Sequence, residues 1–169
     1  MRTVVIGSGS WGTALAQVLQ DNHQEVLVYG VAEAEVNDIN ENHKNSKYFG
    51  DVELNPELKA TTDIQCVKGA DIVLLAVPTI AIDPICHQIN DILDKKTIII
   101  NVSKGFHPET NERMSEVIRR CIDEDKLSSV VSLIGPSHAE EVVIRLLTTI
   151  DAISLNNEDA VTVQNLFSN

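Results

Sequence analysis

Cysteine is scarce in this chain, and the few present carry no pattern. Cys66, Cys86 and Cys121 are odd in number and nowhere spaced C-x-x-C, which argues against a disulfide framework or a thiolate zinc site. Reduced thiols, as in cytoplasm, are the expected state. Cys86-His87 is the one adjacent Cys–His pair, and its neighbours read as offering no further ligand at metal spacing, so no metal is expected. Basic residues are also short: 13 Lys and Arg stand against 25 Asp and Glu, a net charge of −12 that argues against nucleic acid or an anionic membrane surface as partner. Any phosphate must then be held by local groups against the overall field. No apolar run approaches the roughly 20 residues that cross a bilayer, and no basic stretch followed by an apolar one opens the chain. Neither membrane insertion nor a secretory leader is expected. Repeats, low-complexity runs and linkers are missing too, and 169 residues at 43% hydrophobic content suit one domain with a full core.

What the chain does have is glycine in one telling place. Val4-Val5-Ile6-Gly7-Ser8-Gly9-Ser10-Trp11-Gly12 reads as a buried strand running into a glycine-rich turn and then a helix, Thr13 to Leu19. For a dinucleotide ligand, Gly7 permits the tight turn, Gly9 lets backbone approach the pyrophosphate, and Gly12 lets helix pack on strand. The anion would rest on free N–H groups at the positive end of the helix dipole. The alternative is that the glycines serve only a turn.

Downstream, short apolar runs alternate with amphipathic stretches, the pattern of parallel strands joined by crossover helices. Strands are expected at Glu25–Tyr29, Asp71–Val77, Thr97–Val102, Val130–Ile134 and Thr149–Leu155. Asp71–Val77 is uninterruptedly apolar, as a strand buried on both faces requires. Helices are expected near 32–42, over a stretch whose buried face is Ile80, Ile85, Ile89 and Ile92, and near 111–122, 138–146 and from 157 to Asn169. Gly50 and Pro56 mark a loop. The expected fold is α/β, a Rossmann-type doubly wound, mostly parallel sheet with helices on both faces. The last helix has an apolar face, Ala160, Val163, Leu166 and Phe167, and the chain offers little beyond it, so a fragment is expected. The other possibility is that this helix closes a one-domain protein.

Three further clusters fall just past strand ends, where such a sheet binds its ligand. Pro78 follows a buried strand and can shape the crevice, or simply end the strand. Ser103-Lys104-Gly105 places an ammonium that could hold a phosphate or polarise a carbonyl, or lie solvated. Gly135-Pro136-Ser137-His138-Ala139-Glu140-Glu141 combines a turn, a hydroxyl and a helix start, and Ser137 could equally cap that helix, with Glu140 and Glu141 in its first turn. His23, His43 and His107 read as solvated, and Glu33, Glu35, Asp38 and Glu41 as an exposed helix face.

Taken together, Gly7 to Ala16, Ser103-Lys104-Gly105 and Gly135 to Val142 resemble, in order and spacing, the N-terminal half of the bacterial NAD(P)-dependent glycerol-3-phosphate dehydrogenases. The resemblance covers the whole chain. It implies a dinucleotide-binding domain over residues 1–169 of a cytoplasmic oxidoreductase. A second, helical domain, absent here, would carry the catalytic lysine, and the full-length protein would form a homodimer. It implies interconversion of dihydroxyacetone phosphate and sn-glycerol 3-phosphate for glycerophospholipid synthesis. Gly7, Ser8, Gly9, Ser10, Trp11 and Gly12 would carry the cofactor, with Lys104 between nicotinamide and substrate. Gly135 and Ser137 would touch the substrate, and Ala139 the cofactor again. The chain departs from the family at Val31, where many members have a basic or histidine side chain; with Glu33 nearby and no arginine, the reading leans from NADP to NAD. It also departs at Leu146-Leu147-Thr148-Thr149, where a proline is common. Two other readings remain: a stand-alone dinucleotide-sensing module without catalysis, and another two-domain 2-hydroxyacid or 6-phosphogluconate-type dehydrogenase.

Overall fold

The computed structural model describes residues 1–168, so the expected helix end at Asn169 lies outside the described residues. Seven strands form one sheet: β1 (Arg2–Ile6), β2 (Glu25–Tyr29), β3 (Lys59–Thr61), β4 (Ile72–Leu75), β5 (Thr97–Asn101), β6 (Leu127–Ile134) and β7 (Asp151–Ser154). Their order is β3-β2-β1-β4-β5-β6-β7. Six run parallel, in the order of a Rossmann sheet, and β7 closes one edge antiparallel to β6.

The apolar runs in β1, β4 and β5 are explained by burial on both faces. Val5, Leu74 and Ile100 face one core with Ala14, Leu15 and Leu19 of α1 (Ser10–Asp21) and with Val142 and Val163. Val4, Ile6, Leu75 and Ile99 face the other, against α4 (Thr79–Asn90) and α5 (Met114–Cys121). The first core also takes in α6 (Ala139–Val143) and α7 (Asn157–Phe167), whose Ala160, Val163 and Leu166 are buried. The last helix thus packs back on the sheet. Asn156 caps it, accepting from the N–H groups of Glu158 and Asp159.

Two local expectations need correction and one holds. The buried stripe of α4 is Ile82, Cys86, Ile89 and, just beyond, Leu93, while Ile80 is 54% exposed. The loop expected around Gly50 and Pro56 is present, between α3 (Ser46–Phe49) and β3. The single helix expected at 32–42 is α2 (Glu33–Asn37) continued by a wider π turn over Asp38–Asn42, and the chain leaves it at His43 with φ 54°. Among the described residues no helix is long and apolar enough to cross a membrane.

Candidate functional site

The crevice opens where the winding reverses, between the carboxyl ends of β1 and β4. Gly7 N–H donates to the Tyr29 carbonyl at 2.8 Å and Ala76 N–H to the Ile6 carbonyl at 2.9 Å, so both strands are pinned up to their ends. The glycine turn then leaves the sheet sharply. Gly7 has φ 118°, and a Cβ there would strike the Ala76 carbonyl. A Cβ on Gly12 would strike the Gly7 carbonyl oxygen, which explains the close packing of α1 on the turn. Gly9 is different: no atom stands within 4 Å of its Cβ position. Protein packing does not require glycine there. The bare side faces outward, and Gly9 heads α1 without any side-chain cap, so the first N–H groups of a 12-residue helix stay free. These features fit a pyrophosphate.

Beyond the turn, a cavity of about 770 Å³ is lined by Trp11, Lys104, Gly135 and Ser137, with Asn101, Ser103 and Arg113 among the rest. Four residues singled out from three separate stretches of sequence therefore meet in one hollow. Its size lies within the range of about 300–1,000 Å³ typical of small-molecule sites. The loop carrying Lys104 is braced from behind: Ser103 Oγ donates to the Val77 carbonyl at 2.8 Å, and Ser103 N–H to Asn101 Oδ1 at 3.2 Å. Lys104 itself is exposed and, among the described residues, makes no hydrogen bond or ion pair with protein. Gly135 has a structural reason as well, since a Cβ there would lie 2.5 Å from the Thr149 carbonyl oxygen. Ser137 is buried but does not cap α6; His138 holds that position without a side-chain bond. Glu140 and Glu141 occupy the first turn as expected. Ala139 is 8% exposed in the core against α1 and does not line the cavity.

The β2 side of the turn is built otherwise. Val31 is 84% exposed. Glu35, expected on a solvated face, is 8% exposed, because Ser8 Oγ donates to its Oε2 and Lys47 Nζ to its Oε1 at 2.7 Å. Tyr48 hydroxyl lies 3.4 Å from the same oxygen. Burial opposes ionisation of this carboxyl, yet the hydrogen bonds from Lys47 and Ser8 outweigh it and hold the group below the usual glutamate range. Asn45, fully buried, donates to the Ser8 carbonyl at 2.7 Å and to Thr13 Oγ1 at 2.9 Å, so the segment after α2 is stitched to the back of the turn. Local pattern could not reveal this, although Glu35 does precede the buried Val36.

Two other expectations change. His107 is buried, its Nδ1 accepting from the N–H groups of Glu109 and Thr110 at 3.3 and 3.2 Å. His87 does have ligand-type neighbours, Asp83 one turn before it and Cys121 on α5, within 4.8 Å of one another. Arg120 already occupies that cluster, at 2.8 Å from Asp83 Oδ2 and 3.7 Å from Cys121 Sγ, and supplies the positive charge a cation would bring.

Residues 2–161 match the family model described as NAD-dependent glycerol-3-phosphate dehydrogenase N-terminus. The chain belongs to this family. It is 46% identical over 169 residues to a protein of Listeria innocua named glycerol-3-phosphate dehydrogenase [NAD(P)+], covering 99% of this chain and 50% of that protein. A protein of the same name from Streptococcus uberis is 42% identical with the same coverage. Among solved structures, glycerol-3-phosphate dehydrogenase from Coxiella burnetii superposes with a TM-score of 0.90 at 25% identity, over 99% of this chain and 51% of that one. The chain thus spans about half the length of the glycerol-3-phosphate dehydrogenases it matches.

Proposed function

We propose that residues 1–169 are the dinucleotide-binding domain of a glycerol-3-phosphate dehydrogenase, binding NAD or NADP at the glycine turn and the substrate phosphate in the adjoining cavity. The observation that carries this reading is the convergence of Trp11, Lys104, Gly135 and Ser137 on one hollow beside an uncapped helix start. Gly7 to Gly12 would hold the pyrophosphate through backbone N–H groups, which do not depend on the chain's acidic balance. Lys104, which among the described residues has no protein partner and whose loop is held by Ser103, would neutralise a phosphate or polarise a carbonyl. Ser137 adds a hydroxyl that no cap consumes. Gly135 brings the β6 loop and residues 149–150 together beneath the cavity.

When bound, the reduced nicotinamide would supply the hydride that converts dihydroxyacetone phosphate to sn-glycerol 3-phosphate, and its oxidised form would accept that hydride in the reverse direction. This chain's residues orient it and hold the substrate's anionic end. The proton that accompanies hydride transfer needs a general acid, expected on a lysine in the second half of the longer relatives. Cavity residues here offer no buried acid–base pair for that step. The reading extends to a cytoplasmic enzyme that feeds glycerophospholipid synthesis and is a homodimer at full length.

The test is a titration of the chain with NADH, following fluorescence of Trp11, the sole tryptophan, which lines the cavity. Saturable quenching with no oxidation of NADH on adding dihydroxyacetone phosphate is the expected result. Absence of quenching in a folded sample would contradict the reading.

A further inference from the structure

The ion pair on the β2 side is an odd thing to find beside a site for an anionic ligand. A carboxylate 8% exposed sits against the glycine turn, bonded to Ser8, and the ammonium that balances it is 64% exposed at the side chain. Next to the pair is a hollow of about 400 Å³ whose wall includes Glu35, Asp38, Glu41 and Lys47. Lys44, the other nearby cation, is taken by Asp51 at 3.0 Å. In a Rossmann βαβ unit the adenosine ribose lies at the end of the second strand, where an acidic side chain receives the 2′-hydroxyl or a basic one the 2′-phosphate. Here that strand, ending at Tyr29, is followed by Gly30 and Val31. Gly30 is closed to any side chain, since its Cβ would overlap Ser8, and Val31 carries no charge.

We propose that the Glu35–Lys47 pair replaces the missing side chain at the end of β2 and sets the preference between NAD and NADP. This rests on the dinucleotide reading of the turn. Lys47 is two residues beyond Asn45, which is bonded to Ser8 and Thr13, so its backbone is anchored on the turn itself. Its four-carbon stem ends at the rim rather than beneath the loop. Glu35 keeps that ammonium from acting as a free charge, and the pair presents no net charge to a 2′-phosphate entering among Asp38 and Glu41. A ribose bearing only hydroxyls meets no such penalty. The chain therefore favours NADH, and Lys47 is what keeps NADPH from being excluded.

The two partners then act with opposite sign. Glu35→Gln keeps an oxygen to accept from Ser8 but releases the charge of Lys47, while Lys47→Ala leaves the acids unopposed. Fluorescence titrations of Trp11 with NADH and NADPH on the wild type and both variants read this directly. Glu35→Gln is expected to tighten NADPH about tenfold relative to NADH, and Lys47→Ala to weaken it about tenfold, the scale of one charge-assisted hydrogen bond. NADH, which lacks the 2′-phosphate, is the internal reference in each variant. An unchanged NADPH to NADH ratio in both variants, whether or not both affinities fall together, would overturn the inference and reduce the pair to a brace. A folded wild type that binds neither dinucleotide would overturn the dinucleotide reading and this inference with it. Should Glu35→Gln fail to fold, Lys47→Ala still decides, because its side chain is mostly in solvent.

Discussion

The two flanks of the glycine turn handle charge in opposite ways. On the β2 flank the cation is tied: Lys47 is held by a buried carboxylate, which is itself bonded to the turn. On the β5–β6 flank Lys104 has no protein partner among the described residues, while its loop is braced through Ser103 and the Phe106–Arg113 bridge. A tied cation is neutralised in advance and can discriminate between ligands without attracting them. A free one remains available to an incoming anion. In a chain of net charge −12, leaving a lysine unpaired at a cavity rim gives up a stabilising contact that acids elsewhere do take, as Asp71 takes Lys95 and Asp21 takes Arg145.

The comparison breaks most completely if the turn between the flanks is destroyed. Gly12→Val forces a side chain onto the Gly7 carbonyl and should abolish quenching of Trp11 by NADH. A retained saturable titration would separate the turn from binding. Next in size is the core beneath both flanks: Ile99→Ala, at a fully buried position of β5, should cost about 2–5 kcal/mol and lower the midpoint of thermal unfolding by roughly 10 °C. A shift below a few degrees would mean that the sheet is not packed as described. Lys104→Ala should then weaken binding of sn-glycerol 3-phosphate to the NADH complex about tenfold, with NADH affinity unchanged, by loss of one ionic contact. If NADH and substrate weaken equally, Lys104 does not distinguish the flanks.

The smallest expected effects are those of pH. Glu35, despite the burial that opposes its ionisation, and Asp71, through hydrogen bonds from Lys95 and the Arg2 backbone, both titrate below their ordinary values. A carboxyl lowered in the folded state contributes stability that is present above its unfolded pKa and is lost as pH falls through the folded one. Denaturant midpoints should therefore hold from pH 7 to about 5 and fall below about 4, near the unfolded carboxylate values. Glu35→Gln should shallow that fall, and an unchanged profile would show that the Glu35 interactions add nothing to folding. The thiols lie outside this range: burial pushes Cys66 up to about 11 and Cys86 up to about 12, so alkylation at pH 8 should be slow until the chain unfolds.

Much of this architecture was legible because sheet burial writes itself into local pattern. β1, β2, β4 and β5 were readable to within two residues at each end, since strands buried on one or both faces admit few polar positions. The Rossmann order followed from alternation of strand and helix. β3 was not legible: Lys59-Ala60-Thr61 is three residues long and sits at the sheet edge, with only Ala60 apolar. That Lys104, Gly135 and Ser137 gather on one side of the turn was legible from their positions just past strand ends, where a doubly wound sheet opens its crevice. Glu35 and His107 were not. Their burial depends on partners outside their own periodicity, Ser8 lying 27 residues from Glu35, and a charge run looks the same whether or not one member is captured by a distant hydroxyl. Ser137 failed as a cap for a related reason, since His138 takes the cap position by backbone geometry alone.

The most direct test of the central claim is a crystal structure of the chain grown with NADH and sn-glycerol 3-phosphate. The account predicts the pyrophosphate on the backbone of Ser8 to Gly12, the adenosine on the flank of Glu35 and Lys47, and the substrate phosphate within hydrogen-bond distance of Lys104. A dinucleotide running the other way, or density confined to a surface away from the glycine turn, would contradict it.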